Sequence, residues 1–376
     1  MNRVQLQKIT QDLTKKMVFL TGPRQVGKTS LSLSLIGDTQ SNLYLNYDNF
    51  EHRAQIEQMN WLPSVTLLVL DELHKMPNWK NYLKGLYDTK SDGLQILVTG
   101  SARLETFRQT GDSLAGRFFS HRLNPFSLSE LLQVGDIDNN TIDRLIERGG
   151  FPEPFLAEST EDANRWRLQY IDGLIRTDIL DFEKIHDFKA IQLLLELLRT
   201  RVGSPISYSS LARDLACSAN TVKRYIEIFE ALMIIFKVTP YHKNIERSLL
   251  KESKVYFFDN GMVKDDDGIK FENFVAISLL KHQQAIEDYQ GVRTKLSYIR
   301  TKDKKEIDFA LVVDNEIDVV IEVKLSDIKL SSSLLYFQKK YQFPKAIQLV
   351  KNLKNERIES LIEVRNAQSY LTTLYM

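Results

Sequence analysis

The sequence predicts an α/β protein: a parallel sheet with helices on both faces, then a helical region, then a second α/β section. Three observations predict it. Five strand-like runs alternate with helical patterns before residue 125, a glycine-rich loop joins the first run to a helix, and strands return after Lys254. The five runs are Lys16–Thr21, Leu43–Tyr47, Val65–Leu70, Leu94–Thr99 and Arg117–Leu123. None approaches the length that a membrane helix needs.

The loop after the first run reads Gly22-Pro23-Arg24-Gln25-Val26-Gly27-Lys28-Thr29, followed by Ser30. It has the G-x4-G-K-[S/T] pattern of a phosphate-binding Walker A loop. Glycines are needed because backbone N–H groups must turn inward around the phosphates. Lys28 is expected to reach the β- and γ-phosphates, and Thr29 to place its hydroxyl on Mg²⁺. The third run ends in Asp71-Glu72. Asp71 is the expected Mg²⁺ partner, and Glu72 the carboxylate that polarises the attacking water. Ser101 or Thr99, at the end of the fourth run, is expected to sense the γ-phosphate. Arg117 is a candidate arginine finger, with a surface ion pair as the alternative.

Residues 142–201 turn helical, with amphipathic stretches at Asn164–Leu180 and Phe188–Arg201. A helix-turn-helix candidate follows: Ser209–Leu215, a turn at Ala216-Cys217-Ser218, and Asn220–Leu232. In the second helix, Val222, Tyr225, Ile226 and Phe229 make one apolar face. Thr221, Lys223 and Arg224 lie off that face, where a recognition helix meets DNA. A strand-like run at Ile234–Val238 and a basic segment with His242, Lys243 and Arg247 complete a winged-helix pattern. Between Arg199 and Lys251 there are nine Lys/Arg against four Asp/Glu, whereas the whole chain carries only +1. Any nucleic-acid surface is therefore local. Protein contact or packing is the alternative use of such a module.

Near the C-terminus, Glu306–Val313 and Asp318–Val323 read as strands joined by a turn at Asp314-Asn315. A hairpin brings Asp308 and Glu322 to adjacent strands. Glu322 and Lys324 share one side of a strand. Asp308 and Glu322 are candidates to share a divalent metal, Mg²⁺ or Mn²⁺, with Lys324 activating water and Glu272 on the preceding helix completing the site. Exposed charged strands are the plainer explanation of the same pattern.

The runs GPRQVGKTSL, LLVLDELHKMPNW, LVTGSARL, SLAGRF and LNPFSLSEL resemble a widespread prokaryotic family of AAA-type ATPases. In that family an N-terminal ATPase precedes a C-terminal domain long described as of unknown function. The resemblance continues through GGFPEP, YIDGLIRTDI, KVYFFDNGM, FENFVA and EIDFALV. The order Glu272, Asp308, Glu322-x-Lys324 is similar to the PD-(D/E)XK nuclease fold and to archaeal Holliday-junction resolvases. The resemblance implies an AAA-type ATPase over 1–135, a helical lid or linker over 136–189, a winged helix-turn-helix over 190–253 and a restriction-endonuclease-like domain over 254–376. It implies ATP and Mg²⁺ as ligands, DNA as a partner and a homo-oligomer, with a hexamer as one candidate size. An ATP-dependent switch that binds a protein partner, with the C-terminal fold as scaffold, is the alternative.

Composition narrows the setting. At 43% hydrophobic and 26% charged residues the chain is an ordinary globular one, and 376 residues are enough for two to four domains. Cys217 is the only cysteine, which excludes an intramolecular disulfide and a thiolate zinc cluster. The first sixteen residues lack the apolar core of a signal peptide, so a cytoplasmic location without membrane contact is expected. Polar or acidic stretches at Gln133–Asn140 and Lys264–Gly268 are the expected linkers.

Overall fold

The computed structural model describes residues 3–376 except 38, 101–113, 136, 139, 180–187, 243–251, 302, 327 and 328, and omits the side chains of 177–179. The chain divides into two compact units, Met1–Asn124 with Ala231–Met233, and Pro125–Glu230 with Ile234–Met376.

The first unit holds β1 (Met17–Thr21), β2 (Asn42–Asn46), β3 (Leu67–Asp71), β4 (Gln95–Thr99) and β5 (Phe118–Arg122), close to the five expected runs. They form one sheet in the order β2-β3-β4-β1-β5, parallel throughout. Helices Gln5–Leu13, Lys28–Ile36, Phe50–Glu57 and Trp79–Thr89 accompany them. Every residue of β1 and of β3 is buried, as uninterrupted aliphatic runs require when both faces of a strand are covered. Phe19, Leu45, Leu68, Leu70, Leu83 and Val98 belong to its core. Because the strands are parallel, all their carboxyl ends open on one edge. The register aligns Asp71 with Thr99 and Thr99 with Leu20, so the loop after β1 and the acid at the end of β3 flank β4.

The second unit starts with helices, including Thr141–Arg148 and Thr160–Gly173. The expected helix Asn164–Leu180 ends early, and a π-helical turn, Leu174–Ile179, follows it. The helices Tyr208–Asp214 and Ala219–Ala231 stand where the helix-turn-helix candidate was expected. Val222, Tyr225, Ile226 and Phe229 are all buried, as the 3.6-residue period requires.

An eight-stranded mixed sheet follows, in the order β12-β13-β11-β10-β9-β8-β6-β7. Its strands are β6 (Ile235–Pro240), β7 (Lys254–Phe257), β8 (Thr294–Arg300), β9 (Glu306–Val313), β10 (Glu316–Lys324), β11 (Lys345–Val350), β12 (Arg357–Glu359) and β13 (Ile362–Asn366). The expected hairpin is β9–β10, and both turn residues, Asp314 and Asn315, take positive φ. The sheet also recruits β6, which the sequence assigns to the helix-turn-helix segment: Thr239 pairs with Ser297 and Pro240 with Tyr298. Of the expected linker Lys264–Gly268, Lys264–Asp266 lie outside any helix and Asp267 opens one. Asp266 accepts from the Ile269 N–H at 2.9 Å and caps the helix Asp267–Gln290, which carries Glu272. Among the described residues no helix is long and apolar enough to cross a membrane.

Candidate functional site

The nucleotide-binding candidate is built on the carboxyl edge of the five-stranded sheet. Gly22 runs against the next strand's backbone, where a Cβ would lie 2.3 Å from the Leu123 carbonyl oxygen, so only glycine fits. Gly27, at φ 100°, caps the helix that begins at Lys28. Pro23 and Val26 are buried and support the loop, while Arg24, Gln25, Thr29 and Ser30 face outward. The Lys28 ammonium spans the loop and donates to the carbonyls of Gly22 at 3.0 Å and Pro23 at 2.7 Å. A glycine-bounded loop, a lysine ammonium and a helix N-terminus thus meet here, the arrangement that suits a phosphate chain.

Asp71 is the hub of the site and only 2% exposed. Its Oδ2 accepts from the Thr29 hydroxyl at 3.0 Å and from the Tyr44 hydroxyl at 2.6 Å. Its Oδ1 accepts from the Thr99 hydroxyl and from the Glu72 N–H at 3.1 Å. The residues predicted to hold Mg²⁺, Thr29 and Asp71, thus already touch, and they offer the hard oxygen donors that Mg²⁺ prefers. Burial first, then the hydrogen bond and charge of Asp71, holds the Tyr44 hydroxyl well above its ordinary range, so it stays a donor.

Glu72 follows in left-handed backbone at φ 57°, rare for a residue with a side chain. Its N–H donates to the Thr99 carbonyl at 3.0 Å. Its Oε2 lies 3.7 Å from His74 Nε2 and 3.6 Å from the Lys75 ammonium, which pairs in turn with Asp48 at 2.5 Å. Burial raises the Glu72 carboxyl above its ordinary value, and Lys75 opposes that shift. Thr99 is fully buried with its hydroxyl committed to Asp71. Ser101, the other sensor candidate, lies outside the described residues.

Arg117 stands elsewhere. It precedes β5 and the phosphate loop follows β1, and β5 and β1 run parallel with Met17 opposite Phe118 and Thr21 opposite Arg122. Arg117 therefore sits at the opposite end of the sheet from its own loop, a strand length of about 15 Å away. It makes a two-pronged ion pair with Asp88, at 2.8 and 3.1 Å.

In the second unit, Lys223 and Arg224 are exposed. Lys223 lies 3.8 Å from Glu227, a loose pair that a phosphate could displace. The Thr221 and Ser218 hydroxyls share a hydrogen bond of 2.9 Å at the helix start. Lys243 and Arg247 of the expected wing lie outside the described residues.

The C-terminal candidates cluster, but not as expected. Val323 N–H donates to Asp308 Oδ2 at 2.9 Å. Glu322, 6% exposed, accepts at Oε1 from Ser331 at 3.0 Å and pairs there with Lys324 at 3.0 Å. Glu272 Oε1 accepts from the Tyr256 hydroxyl at 2.7 Å. Burial, reinforced by Asp308, raises both the Glu272 and Glu322 carboxyl groups. A residue that the sequence did not single out also enters. The Lys254 ammonium, 1% exposed, lies 2.7 Å from Glu306 Oε1, 3.6 Å from Glu272 Oε1 and 3.9 Å from Asp308 Oδ1. Burial would depress it, but Glu272, Asp308 and Glu306 outweigh burial and keep it protonated. Among the described residues, no group of three or more His, Cys, Asp or Glu side chains has metal-holding geometry. Of the expected metal set, Glu272 and Asp308 lie against the Lys254 ammonium, and Glu322 pairs with Lys324.

Two functional candidates, Tyr44 and Lys254, emerge only from the structure. Tyr44 lies in a half-buried strand, where a tyrosine reads as packing. Lys254 opens an apolar strand and shares a face with Tyr256 by alternation, which was the one available signal.

Comparison with known proteins agrees with the first unit. Residues 14–132 match a family model described as an AAA domain. Residues 139–270 and 267–370 match two domains of unknown function, DUF8612 and DUF4143. An uncharacterized protein of Mycobacterium tuberculosis, Rv2008c, is 28% identical over 302 residues, which cover 78% of this chain and 66% of that protein. This chain thus spans slightly under two thirds of that relative. The uncharacterized protein MJ1544 of Methanocaldococcus jannaschii is 22% identical over 393 residues, covering 95% of this chain and 84% of its own. Among solved structures, a Thermotoga maritima RuvB variant aligns at a TM-score of 0.32 and 17% identity, covering 62% of this chain and 88% of that one. The parallel sheet, the phosphate loop with its acidic partner, and the matching family model make residues 14–132 a P-loop AAA-type ATPase domain.

Proposed function

We propose that this chain hydrolyses ATP with Mg²⁺ and couples hydrolysis to the binding or remodelling of DNA. One observation carries the ATPase reading: the Thr29 hydroxyl meets the Asp71 carboxylate at 3.0 Å, with Glu72 next in sequence. Lys28 and the loop N–H groups bind the phosphates, and Thr29 and Asp71 would hold Mg²⁺. Bound there, the ion supplies charge neutralisation for the transferring phosphoryl group. Glu72 accepts hydrogen bonding from the attacking water and orients it toward the γ-phosphate. Burial raises its affinity for a proton, which suits a group that polarises water.

The DNA reading is supported by two helices joined by a short turn, with Lys223 and Arg224 exposed and a local excess of positive charge. Arg117, half-exposed at the far end of its own sheet, would serve a neighbouring subunit's nucleotide in a homo-oligomer. The test is ATPase rate with single-stranded, duplex and branched DNA. The reading expects at least one of them to raise the rate. A rate indifferent to all three counts against it.

A second reading is favoured by the Lys254 geometry: an ATP-dependent switch in which the C-terminal sheet is a scaffold for a protein partner. In this reading the Lys254 ammonium serves the acids as their internal cation, and the domain cuts nothing.

A further inference from the structure

We infer that Lys254 is the resident cation of the C-terminal carboxylate cluster, seated against Glu272 and Asp308, two of the acids to which the sequence assigned a divalent metal, and that the cluster fastens elements together instead of binding an ion. This inference concerns the cluster alone and stands whether or not the ATPase acts on DNA.

A buried ammonium persists only when carboxylates surround it. Lys254 comes from β7, Glu272 from the helix Asp267–Gln290, and Glu306 and Asp308 from β9. Its Nζ lies within 3.9 Å of all three acids. The Tyr298 ring covers it from another side at 5.4 Å. A divalent ion ligated by the same oxygens would sit against the fixed positive charge of a buried ammonium, which repels it.

Donors engage one oxygen of each acid, while the buried Glu322 Oε2 has no hydrogen-bond partner. Tyr256 donates to Glu272, the Val323 N–H to Asp308, and Ser331 to Glu322, with Lys324 alongside. Mg²⁺ asks for an octahedron of oxygens near 2.1 Å, and Mn²⁺ for a similar set, so several of these bonds would have to break. The backbone closes the Glu272 side too. Gly203, at φ +71°, approaches so closely that a Cβ would lie 2.7 Å from Glu272 Oε1. The ammonium thereby ties β7 to the helix and to β9.

The test counts bound Mn²⁺ by electron paramagnetic resonance on the full chain without nucleotide. Any ion at the phosphate loop is common to all samples, so the informative quantity is the part that Asp308→Asn removes. Wild type and Asp308→Asn are expected to bind the same amount. Lys254→Met, checked for folding by circular dichroism, is expected to gain one Mn²⁺ per chain, and adding Asp308→Asn is expected to remove it. Mn²⁺ binding in the wild type that Asp308→Asn abolishes overturns the inference. So does a folded Lys254→Met that gains no ion. If Lys254→Met does not fold, the wild-type comparison with Asp308→Asn decides alone.

Discussion

Asp71 gathers three hydroxyl groups, from Thr29, Tyr44 and Thr99, onto one carboxylate. A carboxylate so held cannot rotate away from the cation it is proposed to bind. Hydrogen bonds to a charged acceptor contribute about 1.5–3 kcal/mol. Tyr44→Phe is therefore expected to lower stability by about that much and to raise the Mg²⁺ concentration at half-maximal ATPase several-fold, with Thr29 still in place. Thermal unfolding and a Mg²⁺ titration measure the two effects, and an unchanged titration would remove Tyr44 from the site. Glu72 makes a separate prediction. Glu72→Gln keeps the shape and loses the charge that polarises water, so ATP binding survives and turnover stops. Lys28→Ala loses binding or hydrolysis, because the phosphates lose their cation. Wild-type turnover in Glu72→Gln would assign the water to another group. The pH profile follows in sign. Glu72 acts as carboxylate, so activity falls as pH drops through its raised value. Lys75→Met removes the cation that lowers that value, and the acid limb should move further up. A limb that stays in place would show that Glu72 does not set it.

At the scale of elements, the helix Ala219–Ala231 shows how an amphipathic period decides both packing and reach. Its apolar face is buried and Lys223 and Arg224 lie outside it. The double substitution Lys223→Ala, Arg224→Ala is thus expected to leave folding within about 0.5 kcal/mol of wild type. If the helix meets phosphates, DNA affinity should fall for every sequence alike. The dependence of log K on log salt should then flatten by about one for each phosphate no longer neutralised. Fluorescence anisotropy across a salt series measures that slope. An unaltered slope and affinity would leave this helix to packing or to a protein partner. The two sheets differ in legibility for an energetic reason. β1 and β3 are continuous apolar runs because both faces are covered, and such runs stand out in sequence. β11 to β13 and the helix Ser332–Tyr341 were not anticipated: their short, partly exposed segments carry weak periodicity, and their pairing partners lie far along the chain.

For the molecule as a whole, the parallel sheet sets a constraint on assembly. Arg117 and the phosphate loop occupy opposite ends of adjacent parallel strands. No rotamer spans about 15 Å, so an arginine finger at this position acts only on another copy. In that case Arg117→Ala is expected to cut turnover by on the order of 10³ while ATP still binds. Mixing it with Lys28→Ala protein should restore part of the activity, since one mixed interface pairs an intact loop with an intact Arg117. Continued inactivity after confirmed subunit exchange would leave Arg117 as the surface partner of Asp88 and nothing more.

The sequence by itself determined the phosphate loop, its acidic partner, the five parallel strands and the apolar face of the second helix of the helix-turn-helix pair. These are local: a loop needs particular residues in a row, and a strand or helix declares itself through period and burial within one segment. Only the tertiary structure decided that Tyr44 braces Asp71 and that Lys254 sits among Glu272, Glu306 and Asp308. A charge reads the same in sequence whether it is solvated or buried. Its neighbours, drawn here from β7, β9 and a 24-residue helix, are set by how sheet and helix pack, and those neighbours decide whether a carboxylate awaits a cation or already has one.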